Sequence, residues 1–177
     1  MKRRSKQVLL VPIWLVIFVT LPFVATGLEQ GERSSDQEYW VDPSTELMWT
    51  KKDNGRDINW RGATKYCREL RLGGFSDWRL GAIEELEGIF DRSARAPGLG
   101  AGKRGDKTRD WHVKGDLFLT GDQWSGTRRM DISGRPSGLV WYFDFWNKHR
   151  GSEDGSRFSG RLAGGGKRAL CVRRPGS

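Results

Sequence analysis

The first 27 residues constrain this chain most, because they decide the compartment in which the rest of it folds. Basic residues crowd positions 2–6, and an apolar run without any charge extends from Val8 to Ala25. This order is typical of a secretory signal peptide or an N-terminal membrane anchor. Ala25 and Gly27 have the spacing of a signal-peptidase site, which favours cleavage, but the run is also about long enough to span a bilayer. Both alternatives place the following residues outside the cytoplasm, whether periplasmic, secreted or anchored.

The residues after position 27 have the length of one domain. The formal charge of the chain falls from +9 to +5 once the four basic residues of the leader are removed, since no acidic residue precedes Glu29. An exported basic chain rarely meets nucleic acid, so its positive charge favours anionic glycans, lipid head groups or acidic proteins. Among these, we expect an anionic glycan or an envelope protein as the partner. Contact with a membrane is expected only through residues 1–27, if they are retained. The sequence predicts no oligomeric state.

Cys67 and Cys171 are the only cysteines in the chain. In an oxidising compartment an even count predicts a disulfide bond. This bond would close a loop of about a hundred residues and would tie the first predicted helix to the last predicted strand. The alternative is two reactive thiols, which would need an accessible site and a lowered pKa.

Composition and periodicity predict both helices and strands over residues 39–174. Residues 28–38 are polar and lack periodicity, as is typical of a tether. Two aromatic and β-branched runs on either side of residues 42–45 predict a hairpin. Apolar residues then recur at helical spacing after Asn59, which can cap a first helix, and Gly73 can end it.

The second half of the chain is predicted to be mainly β-structure after one more helix. The apolar stripe of this second helix is formed by Ile83, Leu86, Ile89 and Phe90. Residues 91–110 are rich in glycine and basic residues and lack hydrophobic periodicity, so we predict a flexible surface loop. Alternation in the following β-rich part predicts a core face formed by Trp141, Phe143 and Phe145.

Several of these segments together resemble one known family. In chain order they are "LMWTKKDNGRDINWRGATKYCRELRLGGFSDWRLGAIEEL", "QWSGT", "WYFDF" and "RALCVRR". Over residues 39–174 the chain closely resembles the Lcl C-terminal domain family, a domain of unknown function named for collagen-like adhesins. The resemblance implies an α+β fold similar to C-type lectins and formylglycine-generating enzymes, with two helices beside small antiparallel sheets. It also implies a bridge from the first helix to the last strand, which Cys67 and Cys171 match.

The chain departs from the family after "DWRL", where the family usually has Pro-Thr. This sequence has Gly81 and Ala82 instead. A threonine at position 82 would form a capping box with Glu85. Because the loss of such a cap costs roughly 1 kcal/mol, we expect a frayed start to the second helix.

No motif in the sequence predicts an enzyme, a cofactor or a metal site. The calcium motif of C-type lectins is represented only by Trp-Asn-Lys at residues 146–148, with a lysine where calcium needs a carboxylate. Asp53 and Asp57 could hold an ion, or they could simply cap and turn their loop. Nucleophile-elbow, zincin and C-x-x-C motifs are absent. A formylglycine-generating-enzyme-like oxidase is a distant alternative, because a bridge would consume both thiols.

Two classes of function remain. The first is a binding or adhesion module for anionic glycans, in which cations supply charge and exposed aromatic rings supply stacking. Its expected surface consists of Arg128, Arg129, Tyr142, Trp146, Lys148 and Arg150. The same residues could equally be solvated charges and half-buried rings. The second class is a structural module of envelope assembly, whose aromatic face would pack against a partner chain.

Overall fold

The structure, a computed structural model, describes residues 37–100, 107–156 and 166–176. These residues belong to one compact unit. Their helices are α1 (Trp60–Glu69) and α2 (Ile83–Gly88), and their strands are β1 (Tyr39–Val41), β2 (Met48–Thr50), β3 (Arg79–Leu80), β4 (Ala96–Gly100), β5 (Lys107–Trp111), β6 (Asp122–Met130), β7 (Pro136–Asp144), β8 (His149–Asp154), β9 (Lys167–Arg168) and β10 (Cys171–Arg173). Neither helix of the described ranges has the length and apolar character needed to cross a bilayer. The predicted leader and the predicted tether up to residue 36 lie outside the described residues.

The strands form three small sheets within the described ranges. The first is antiparallel, with the order β1, β2, β10 and β3. The second is the β4–β5 hairpin. The third has the order β8, β7, β6 and β9, in which β6 and β9 are parallel and the other pairs antiparallel. Together with the two helices, these sheets confirm the predicted α+β class.

The β1–β2 hairpin confirms the turn predicted at residues 42–45. The Asp42 backbone amide donates a hydrogen bond to the Leu47 carbonyl at 2.9 Å. The Asp42 carboxylate accepts one from the Ser44 amide at 3.2 Å and one from the Thr45 hydroxyl at 2.7 Å. Because Asp42 is fully buried, these bonds replace the water that its side chain loses on folding.

Helix α1 begins as predicted and ends earlier. The Asn59 side chain accepts a hydrogen bond from the Gly62 amide at 2.8 Å, which confirms the predicted N-cap. The helix ends at Glu69, and the backbone is extended at the next residue. Gly73, predicted to end the helix, instead has a φ of +60° within the tight turn of residues 72–75.

Helix α2 starts at Ile83, and side chains accept hydrogen bonds at its start. The Thr127 hydroxyl, on β6, accepts a hydrogen bond from the Ile83 amide at 3.0 Å. The Glu85 carboxylate accepts another from the Ala82 amide at 2.8 Å. The expectation of fraying assumed that this end has no side-chain acceptor, and that assumption is wrong. The acceptor comes from a strand 44 residues further along the chain, so no local pattern could predict it.

Gly81, the first departure from the family pattern, lies against a core tryptophan. A Cβ added at Gly81 would stand 2.8 Å from the ring of Trp49, which is fully buried. A larger residue would displace this ring. Close packing therefore explains the glycine.

Residues 91–110, predicted to be a flexible loop, contain β4 and all of β5 except Trp111, so the loop prediction is wrong over these strands. Gly98, on β4, marks a site of close packing. A Cβ added at Gly98 would overlap the Leu119 carbonyl oxygen and the Trp111 ring. Hydrophobic periodicity does not detect a strand whose inward residues are glycine and alanine. Residues 101–106, between the two strands, lie outside the described residues.

Strand β7 confirms the predicted core face for two of its three residues. Phe143 is 1% exposed and Phe145, just after the strand, is 0% exposed. Trp141 is only partly buried and packs at the margin of the core. On the other face of the strand, Val140 is buried and Tyr142 is half-buried.

Cys67 on α1 and Cys171 on β10 form a disulfide bond, with an S–S distance of 2.01 Å and a Cα–Cα distance of 5.5 Å. The bond confirms the predicted bridge, and it excludes two reactive thiols because neither cysteine is free. It lies in the core cluster that also contains Trp78 and Trp124. A disulfide of this kind is typical of proteins that fold in an oxidising environment.

Candidate ligand-binding surface

Two arginine side chains lie over the ring of Trp141. The guanidinium carbon of Arg129 is 5.6 Å from the ring centroid, and that of Arg150 is 5.1 Å from it. These distances are in the range of cation–π interactions. Strand β7 lies between β6 and β8, so the two arginines reach the central tryptophan from the two neighbouring strands.

Each of these arginines is held by one further contact. The Nη1 atom of Arg129 donates a hydrogen bond to the Ser152 hydroxyl at 3.0 Å. The Nη1 atom of Arg150 lies 3.5 Å from the Glu87 carboxylate, and the Arg150 side chain remains 50% exposed. A guanidinium has five N–H donors in a planar fork that matches carboxylate, sulfate and phosphate groups. Both side chains are therefore oriented while they keep donors for an anionic ligand.

A second cation–aromatic group lies at the turn between β7 and β8. Trp146 is 41% exposed, and its ring stacks on that of His112 with centroids 6.0 Å apart. The guanidinium carbon of Arg109 is 4.4 Å from the Trp146 ring centroid. The Trp146 amide donates to the Asp144 carboxylate at 2.7 Å, which braces the turn. The turn thus presents an indole ring with a cation over it.

Phe90 connects the two groups. Its ring centroid lies 6.1 Å from that of His112 and 6.1 Å from that of Phe143, which pairs in register with Arg150. The Lys148 ammonium lies 5.4 Å from the Phe90 centroid. We call the resulting surface the cation–aromatic band. It consists of Arg109, Trp146, Lys148, Arg150, Trp141 and Arg129.

Arg128 and Tyr142, which the sequence placed on the same surface, lie on the opposite face of the sheet. Tyr142 alternates with Trp141 along β7, so their side chains point to opposite sides. The guanidinium carbon of Arg128 lies 4.8 Å from the ring centroid of Trp60, on α1. Of the six predicted surface residues, Arg129, Trp146, Lys148 and Arg150 are brought together and these two are not.

Two members of the band were missed by sequence reasoning. The alternation along β7 predicts Trp141 in the core because it shares a strand face with Phe143. The composition of residues 91–110 predicts Arg109 in a loop. The pairing of β6 and β8 with β7 supplies the arginines of the first group, and this pairing is not visible in any single segment. The signal that would have indicated Trp141 is an aromatic residue on a strand whose two neighbouring strands both carry arginine.

The face that contains Tyr142 has a different electrostatic character. The Lys167 ammonium lies 3.9 Å from the Tyr142 ring centroid and 2.5 Å from the Glu153 carboxylate. Burial, and next the negative charge of Asp144, raise the pKa of Asp122 to about 7. Burial also raises the pKa of Tyr142. Carboxylates therefore gather on this face, whereas the band carries mainly cations.

Asp53 and Asp57, considered as ion ligands, are used within the protein. The Asp53 carboxylate accepts hydrogen bonds from the Gly55 amide at 2.9 Å, from the Thr120 amide and hydroxyl at 2.7 and 2.8 Å, and from the Gln123 side chain at 2.9 Å. Asp57 forms an ion pair with Arg168. These bonds support the simpler interpretation, in which both residues organise their loop.

The sequence profile of the Lcl C-terminal domain family matches residues 38–173. Because this range covers most of the chain, the protein belongs to the Lcl C-terminal domain family. No curated protein sequence and no solved structure matches it. The family description names neither a ligand nor a reaction.

Proposed function

We propose that this protein is an exported, non-enzymatic binding module that recognises an anionic glycan through the cation–aromatic band. The observation that carries the proposal is the position of Arg129 and Arg150 over Trp141. The same pairing recurs at the turn, where Arg109 lies over Trp146. Acidic glycans alternate charged groups with the apolar faces of sugar rings, and both kinds of group have partners here.

The proposal implies that affinity depends on the length of the glycan. An exposed ion pair contributes about 1 kcal/mol or less, whereas a dissociation constant of 1 μM requires about 8 kcal/mol. One cation–aromatic group is therefore too weak to hold a ligand alone. A chain long enough to span both groups gains the second contact as an intramolecular event.

Two finer statements about the chain belong to the same proposal. Export is supported by the leader pattern of residues 1–27 and by the Cys67–Cys171 bond, which is typical of oxidising compartments. A C-type-lectin-like fold is supported by the α+β architecture and by the bridge from α1 to the last strand, which the family resemblance implies.

Heparin chromatography with charge-matched variants tests the proposed ligand class. The band variant Arg129→Gln/Lys148→Gln/Arg150→Gln removes three cations, and the control variant Arg61→Gln/Lys65→Gln/Arg68→Gln removes three exposed cations from α1. We expect the band variant to elute at clearly lower salt and to bind heparin oligosaccharides at least about tenfold more weakly. The control should elute close to the unmodified protein. An equal loss in both variants would mean that only net charge matters, and the proposal would fail.

Trp146→Ala separates stacking from charge. We expect it to lower retention on heparin without changing retention on a plain sulfopropyl resin, because the resin has no sugar rings.

In the alternative function, envelope assembly, the protein would form oligomers without glycan. Size-exclusion chromatography at several protein concentrations distinguishes the two functions.

A further inference from the structure

The end of the β6–β7 hairpin projects from the domain as an exposed arm. All residues from 128 to 138 are exposed, whereas Ser125 and Val140 at the base of the arm are buried. Ile132, at the tip, is 110% exposed, and Met130 is 54% exposed. These are the two most exposed large apolar side chains among the described residues.

Hydrogen bonds within the arm hold Ile132 at the tip. The Asp131 carboxylate accepts bonds from the Ser133 amide at 2.8 Å, from the Ser133 hydroxyl at 2.6 Å and from the Arg135 amide at 3.0 Å. Gly134 has a φ of +75°, which completes the tight turn. The Ile132 side chain takes no part in these bonds. Proline or a polar residue is usual at such a position, so the fold does not require an isoleucine there.

The charges of the arm are mainly positive. Arg128, Arg129 and Arg135 lie within residues 128–138, and Asp131 is the only carboxylate there. The hydrogen bonds of the turn already use that carboxylate. The arm therefore combines an apolar tip with guanidinium groups, which favour phosphate oxygens.

We propose that this arm docks on an anionic phospholipid surface, with Ile132 and Met130 in the interfacial layer and the arginines at the headgroup phosphates. A stable protein interface buries roughly 800 Å² per partner, far more than two side chains supply. A lipid surface needs no complementary pocket and attracts cations. Arg129 belongs to both the arm and the cation–aromatic band, whereas Ile132, Met130 and Arg135 belong to the arm alone. The proposed membrane contact therefore also involves residues outside the band. It adds a membrane contact beyond the one expected through residues 1–27.

Binding through the arm is expected to be modest. One arginine near an anionic surface is worth about 1 kcal/mol, which is about a fivefold change in affinity. Removing an isoleucine side chain that is buried in the lipid interface weakens partitioning into the membrane by roughly tenfold. The arm therefore orients a domain that a second attachment keeps near the membrane, as with other single weak anchors.

Vesicle sedimentation tests the proposal with the full chain. The probes are phosphatidylcholine vesicles with and without phosphatidylglycerol, and the variants are Ile132→Ser and Arg135→Gln. The matched controls are Val41→Ser, which removes another exposed apolar side chain, and Arg61→Gln, which removes another exposed cation. Residues 1–27, if they are retained, would bind both kinds of vesicle, so the arm is measured by the additional binding that phosphatidylglycerol produces. This additional binding should weaken roughly tenfold in Ile132→Ser and about fivefold in Arg135→Gln, and the controls should bind like the unmodified protein.

Three outcomes would overturn the proposal. The first is equal loss of binding in the test and control variants. The second is unchanged binding in Ile132→Ser together with unchanged binding in Arg135→Gln. The third is an oligomer that forms without vesicles and disappears in Ile132→Ser, which would assign the tip to a second copy of the chain. Heparin retention should be the same in Ile132→Ser as in the unmodified protein, so failure here is distinguishable from failure of the glycan proposal.

Discussion

Two neighbouring residues of β7 show how much one step along a strand changes a side chain's environment. Trp141 lies under two arginines, on the face that carries the cation–aromatic band. Tyr142 lies under Lys167, among carboxylates that include Asp122. Since side chains alternate across a sheet, the same strand supplies a cationic surface on one side and an acidic cluster on the other.

Asp122 should make stability depend on pH. Burial and the neighbouring Asp144 raise the pKa of Asp122 to about 7 in the folded state, compared with about 3.9 in an unfolded chain. Between these values the folded state binds the proton more tightly, so this group's contribution to the free energy of unfolding decreases as the pH rises from about 4 to about 7. We expect the free energy of unfolding of Asp122→Asn to equal that of the unmodified protein near pH 4. Near pH 7.5 it should be higher than that of the unmodified protein by about 2 to 4 kcal/mol. Urea unfolding across this range measures the difference, and a difference that does not vary with pH would contradict the assignment.

At the scale of elements, α2 is a helix of six residues that depends on a strand for its start. A helix this short is marginal by itself, so its stability comes from packing and capping. The Thr127 hydroxyl on β6 satisfies the Ile83 amide, and the Trp49 ring packs closely on Gly81 just before the helix. Both contacts are tertiary.

Thr127→Val should destabilise the protein by about 1 kcal/mol, because it keeps the shape of the side chain and removes the acceptor at the start of α2. Thr127→Ser keeps the hydroxyl and serves as the control. Urea unfolding of the three proteins at one pH measures the effect. If the Thr127→Val and Thr127→Ser variants had the same stability, Thr127 would not be acting as a cap.

Elements with an apolar stripe or a local cap were predictable, and elements without them were not. The β1–β2 hairpin and α1 have turn and capping residues within a few positions of their ends, so sequence reasoning located them. The β4–β5 hairpin was missed because the inward positions of β4 carry glycine and alanine, which hydrophobic periodicity does not register. Close packing requires the glycine at position 98. Two of the six residues of the cation–aromatic band were missed for a related reason, since Trp141 and Arg109 acquire their partners only when separate strands pair.

At the scale of the whole molecule, one covalent bond joins distant parts of the described chain. Cys67 and Cys171 are separated by 104 residues, and their bond connects α1 to β10. Strand β10 lies between β2 and β3 in the first sheet, so the bond ties α1 to an inner strand of that sheet. The two sulfur atoms lie in a core cluster away from solvent.

The double variant Cys67→Ser/Cys171→Ser should lower the free energy of unfolding by about 4 to 5 kcal/mol, because it releases a loop of about a hundred residues in the unfolded state. Urea unfolding with and without a reductant measures this loss. The reductant should destabilise the unmodified protein by a similar amount and should leave the double variant unchanged. Equal stability of the oxidised and reduced proteins would show that the bond contributes little to the fold.

The sequence by itself determined the features that depend on near neighbours or on composition: the leader pattern, the first hairpin, the N-cap of α1, the α+β class and the family. It also predicted the disulfide, since two cysteines permit only one pairing. The tertiary structure alone decided the acceptor at the start of α2, the strands of β4 and β5, and the division of the predicted surface between two faces. Each of these depends on contacts between residues far apart in the chain, and such contacts are set by strand pairing and by the space left between packed side chains.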